Sequence, residues 1–93
     1  MIYTVGLVAK YEAAIDAGLG TKLGPHKRAD GYDDPGGWVW PTADAARAYL
    51  VSRNALGPRQ VYGVDADWEA DTYEVAGEPT RCLKRNAQVV RLE

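Results

Sequence analysis

Between Gly36 and Leu50 the chain packs a glycine turn, a short strand, a proline stop and a capped helix into fifteen residues: Gly36-Gly37-Trp38-Val39-Trp40-Pro41-Thr42-Ala43-Asp44-Ala45-Ala46-Arg47-Ala48-Tyr49-Leu50. Thr42 is placed to cap the helix, because its hydroxyl can accept from an amide that the first turn leaves without a partner. Asp44 adds negative charge near the positive end of the helix dipole. Ala46, Tyr49, Leu50 and Arg53 recur at helical spacing, so one face is apolar and can lie on a sheet. The remaining segments have to supply that sheet.

Ile2-Tyr3-Thr4-Val5-Gly6-Leu7-Val8 is rich in β-branched and aromatic residues and reads as a strand with two apolar faces, which suits a central position. Gly6 leaves a gap in it where another group can approach the backbone. Ala9 to Ala17 reads as a short helix ended by Gly18. Gln60 to Ala66 is a second strand, and Asn54 and the Gly57-Pro58 pair end the helix ahead of it. Thr72 to Ala76, Arg81 to Arg85 and Gln88 to Leu92 read as further extended segments, with a turn at Gly77-Glu78-Pro79. The expected fold is α+β: a mostly antiparallel sheet of four or five strands, its later strands a meander, with two short helices packed against one face. Ninety-three residues make one small domain, 1–93, with no internal repeat.

Three Trp and six Tyr, but no Phe, supply the aromatic content, so several rings are expected at the core edge or along a groove. The net charge of −2 gives no reason to expect nucleic acid or an anionic membrane as partner. Cys82 is the one cysteine, which excludes an internal disulfide and fits a reducing, cytoplasmic setting. No stretch reads as a signal peptide, and none approaches the ~20 apolar residues that span a bilayer. A soluble protein without a membrane partner is expected.

Residues 18–37 carry six glycines and two prolines, and a connection of that length is usually a functional loop. Its charges are ordered, with Lys22, His26, Lys27 and Arg28 ahead of Asp30, Asp33 and Asp34. His26 has the chemistry of a general base or an anion ligand beside two cations, although no catalytic partner is marked elsewhere and a solvated loop histidine is the plainer reading. Lys22, Lys27 and Arg28 with the glycines can cradle a phosphate, and Trp38 or Trp40 can offer a stacking platform. The spacing matches neither a Walker loop nor a dinucleotide fingerprint.

Asp65, Asp67, Glu69 and Asp71 alternate like calcium-loop ligands, but Ala70 and Ala76 stand where that loop needs its glycine and its bidentate glutamate. If the run stays extended, all four carboxylates share one face. Residues 65–78 hold six acids and no base, while Arg81, Lys84, Arg85 and Arg91 follow, so internal salt bridges are the expected use of both. Cys82 lies near Arg81 and Lys84, which favour a thiolate, yet without a histidine nearby a structural thiol is expected.

The Tyr3-Thr4-Val5 strand, the Gly37-Trp38-Val39-Trp40-Pro41-Thr42 strand entering an alanine-rich helix, and Val61-Tyr62-Gly63-Val64 form a layout similar to short uncharacterised bacterial and phage open reading frames. Over residues 2–66 it also loosely resembles compact ADP-ribosyltransferase-like domains, in which a strand-Thr-helix unit frames the cofactor cleft. That family opens with a His or Arg on its first strand, where this chain has Tyr3 and Thr4. It also uses a late catalytic Glu, for which Glu69 and Glu74 are the nearest residues. The resemblance implies an NAD- or nucleotide-binding enzyme or a degenerate relative. The residues themselves favour a non-catalytic binding module without metal or cofactor. It would dock a protein partner or an anionic, nucleotide-like small ligand through Lys22, His26, Lys27, Arg28, Trp38 and Trp40. An uncovered edge such as Gln88–Leu92 is free to pair with a second copy.

Overall fold

The computed structural model describes residues 1–20, 23–53 and 58–92; Lys22, and the helix end expected at Asn54 and Gly57, lie outside the described residues. Among the described residues, eight strands and three helices follow one another as β1 (Ile2–Leu7), α1 (Val8–Asp16), β2 (His26–Lys27), β3 (Asp33–Asp34), β4 (Trp38–Val39), α2 (Ala43–Arg53), β5 (Arg59–Val64), α3 (Trp68–Asp71), β6 (Thr72–Glu74), β7 (Arg81–Leu83) and β8 (Val89–Val90). The α+β class holds. The single sheet of four or five strands does not: the strands form two three-stranded antiparallel sheets, β1-β5-β8 and β4-β7-β6, and a separate β2-β3 hairpin.

The two larger sheets meet at one bridge. The Tyr3 amide donates to the Trp40 carbonyl at 2.9 Å, and the Trp40 amide donates back to Tyr3 at 2.8 Å. Just beside it, buried Thr4 donates its hydroxyl to the Trp38 carbonyl at 2.9 Å. A polar side chain inside a strand is tolerated there because its hydrogen bond is made.

The helices take opposite faces of β1 and β5, which corrects the expectation that both share one. Alternation along β1 sends Ile2, Thr4 and Gly6 to one side, where Ile2 joins Tyr11 and Ile15 of α1 with Tyr62, Val64, Leu83 and Val89 in the main core. Tyr3 and Val5 point the other way and pack with Val61, Trp40 and Ala46 and Tyr49 of α2. Both faces of β1 being apolar, each helix has a surface to cover. The gap at Gly6 is filled by the Tyr11 ring, which also lies against Tyr62 with centroids 5.0 Å apart.

The local signals act as read. Ala45 donates its amide to the Thr42 hydroxyl at 3.1 Å, capping α2, and α1 stops ahead of Gly18, whose φ is 71°. The acidic run departs from an extended strand. Asp67 accepts from the Ala70 amide at 2.7 Å, and Asp71 accepts from the Asp67 amide at 2.8 Å, so the two carboxylates close a helical turn between them. Arg85 then grips Asp71 with two N–H groups, at 3.1 and 3.0 Å, and holds its carboxyl below the usual carboxylate range.

A second clasp closes the C-terminal strand onto α1. Arg91 donates to Glu12 at 2.6 Å and to Asp16 at 2.8 Å, and the Tyr62 hydroxyl donates to the other oxygen of Glu12 at 2.9 Å. Burial first, and the Glu12 carboxylate second, push the Tyr62 phenol up to about 12 from 10.0. The folded state therefore holds this proton more tightly than the unfolded chain, so the contribution is complete below pH 10 and disappears as pH rises through 12. Tyr62→Phe is expected to lose about 1 kcal/mol at neutral pH. It should also flatten the fall in stability across that alkaline window in denaturant titrations.

Candidate functional site

Residues 23–37 of the connection are anchored at both ends. Leu23 is buried in the main core, its carbonyl accepts the Gly37 amide at 2.6 Å, and the Gly24 amide donates to the Asn86 side chain at 3.0 Å. On the other side, the Tyr73 hydroxyl donates to the Pro35 carbonyl at 2.6 Å. Between these anchors β2 and β3 pair, with His26 opposite Asp34 and Lys27 opposite Asp33. The Arg28 amide donates to the Tyr32 carbonyl at 2.8 Å, the Gly31 amide to Arg28 at 3.0 Å, and Asp30 accepts the Tyr32 amide at 3.1 Å, which closes the tip. Basic residues lead and acidic ones follow, so folding back matches them in register.

Each basic residue of the hairpin faces a carboxylate of the same hairpin. Lys27 Nζ is 2.9 Å from Asp33, Arg28 is 3.0 Å from Asp30, and His26 Nε2 is 3.9 Å from Asp34. The Lys27 and Arg28 pairs are exposed, and such pairs contribute little stability. What they do is neutralise the surface locally. His26 Nδ1 lies 2.9 Å from the Gly24 carbonyl, which can only accept, so that nitrogen carries a proton. His26 is thus tied to the anchored base of the hairpin.

The structure brings His26, Lys27 and Arg28 together and gives Trp38 and Trp40 a different setting. Trp40 is buried, its ring tilted against Tyr49 at a centroid distance of 4.6 Å, and half-buried Trp38 packs with the same cluster beneath α2. Both rings are committed to the fold. The aromatic group that the hairpin does present is Tyr32, 71% exposed at its tip. Sequence reading passed over it, although a tyrosine between Gly31 and Asp33 in an otherwise polar stretch was the signal available.

Cys82 is fully buried, its Sγ 3.8 Å from the Gly36 carbonyl, and burial pushes its thiol up, away from the nucleophilic thiolate. A thiol reagent such as DTNB is expected to leave the native protein unmodified and to titrate one thiol after denaturation; rapid native labelling would contradict this packing. Among the described residues no group of three or more His, Cys, Asp or Glu can hold a metal ion, and no helix is long and apolar enough to cross a membrane. No protein family, curated protein or solved structure matches the chain.

Proposed function

We propose that the chain is a non-catalytic binding module that docks a partner protein through the 26–34 hairpin. The observation that carries this reading is Tyr32, displayed on a hairpin whose cations already have internal carboxylate partners. An exposed tyrosine beside an arginine has the composition of an interface anchor, because it buries a large rigid surface with little loss of conformational freedom. Ordering of the hairpin by its own turn bonds lowers the cost of docking further. A phosphate or nucleotide would instead have to compete with Asp30 and Asp33 for Arg28 and Lys27, which disfavours the anion-binding reading.

The test separates the two ligand classes. Titration with inorganic phosphate, ATP and NAD, followed by tryptophan fluorescence, is expected to give no saturable change. Saturable binding that Lys27→Ala with Arg28→Ala abolishes would replace this reading with an anion site. In affinity purification from source cells, Tyr32→Ala is expected to lower recovery of a specific partner at least tenfold, while Val51→Ala on α2 leaves it unchanged. Equal recovery with both variants would overturn the proposal.

A further inference from the structure

A second surface, which shares no residue with the hairpin, is formed by the β6–β7 connection, Trp68 and the residues that follow β4. This open cleft has a volume of about 610 Å³ and is lined by Trp40, Pro41, Trp68 and Pro79 together with the exposed Glu74 and Glu78. The Arg81 guanidinium sits 4.9 Å over the Trp68 ring and donates to the Trp68 carbonyl and to the Thr72 hydroxyl, both at 3.4 Å. It is also 3.8 Å from Glu69 and 3.7 Å from Glu74, and its side chain is only 24% exposed. This corner therefore already holds a guanidinium by the means that recognise one: an aromatic face, a carbonyl and flanking carboxylates.

The carboxylates outnumber that cation. Glu74 and Glu78 line the cleft with Arg81, a charge of −1, and Glu69, 3.8 Å from Arg81 but outside the lining, brings the corner to −2. Both ion pairs of Arg81 are long, and Glu74 keeps most of its side chain in water. Glu78 makes no ion pair among the described residues; its amide closes the turn onto Val75 at 3.0 Å, which fixes the backbone at this position. We infer that this cleft docks a basic, arginine- or lysine-bearing segment of a partner protein. The incoming side chain pairs with Glu74 and Glu78, and its aliphatic stem lies along Pro41 and Pro79. Charge complementarity selects this occupant over an acidic or neutral one.

The probe is a capped hexa-arginine peptide, with hexa-glutamate as the opposite charge, titrated against the full chain by calorimetry and tryptophan fluorescence at 50 and 300 mM salt. Saturable one-to-one binding of hexa-arginine is expected, weakening with salt. Glu74→Gln with Glu78→Gln should weaken it at least tenfold, whereas Asp44→Asn with Asp65→Asn, which removes the same charge elsewhere, should change it less than twofold. Both glutamates are exposed, so circular dichroism should show the double variant folded. Absence of saturable binding, or equal weakening by the two double variants, would overturn the proposal. Neither outcome bears on Tyr32 and the hairpin.

Discussion

Gly24→Ala is expected to destabilise the protein by about 3 kcal/mol, which lowers the melting temperature by roughly 12–20 °C for a domain of this size. A Cβ at position 24 would lie 2.4 Å from the Arg85 carbonyl carbon and 2.6 Å from the Asn86 amide nitrogen. These are backbone atoms, which no rotamer change can move aside. The same approach carries the hydrogen bond from the Gly24 amide to Asn86, so the methyl group breaks the anchor as it separates the segments. Asn86→Ala removes only the acceptor and should lower stability by about 1 kcal/mol. A thermal melt comparing the two tests whether close approach or the hydrogen bond dominates. Equal shifts would contradict the steric account.

Gly6→Val near the end of β1 is the second large effect, with an expected loss of about 3 kcal/mol. A Cβ there falls 2.4 Å from two atoms of the Tyr11 ring. The ring cannot swing away freely, because it is buried against the sheet and stacked on Tyr62 of β5. Overpacking at this point must lift α1 from the sheet. A double-mutant cycle isolates the cause: Gly6→Ala should be clearly destabilising in the native background but close to neutral once Tyr11→Ala has removed the ring. Equal penalties in both backgrounds would show that strand geometry, and not the tyrosine, demands glycine.

Features governed by neighbouring residues were legible from the sequence. The Thr42 cap, the stop at Gly18 and the two long strands depend on contacts within a few residues, and each has a pattern of its own. The need for a close neighbour at Gly6 was equally visible, though not that Tyr11 would be that neighbour. Placement of the helices was not legible, since β1 is apolar on both sides and periodicity cannot say which helix covers which face. The acidic run turned helical because Asp67 and Asp71 cap each other and Arg85 holds Asp71 from fourteen residues away, a long-range term absent from any local window. The hairpin escaped for a related reason. Strands of two residues have no readable alternation, and its basic-then-acidic order makes sense only after the chain folds back.

That same folding back changes the meaning of the charges, from a cationic loop to a neutralised hairpin displaying Tyr32. Placing a photo-activatable phenylalanine analogue at position 32, with position 51 on α2 as an equally exposed control, tests this most directly in source cells. Val51 is 79% exposed, so accessibility does not favour the hairpin. A single discrete protein adduct from position 32, and none of that mass from position 51, is the predicted result. No adduct from position 32, or the same adducts from both positions, would contradict the hairpin as the docking surface.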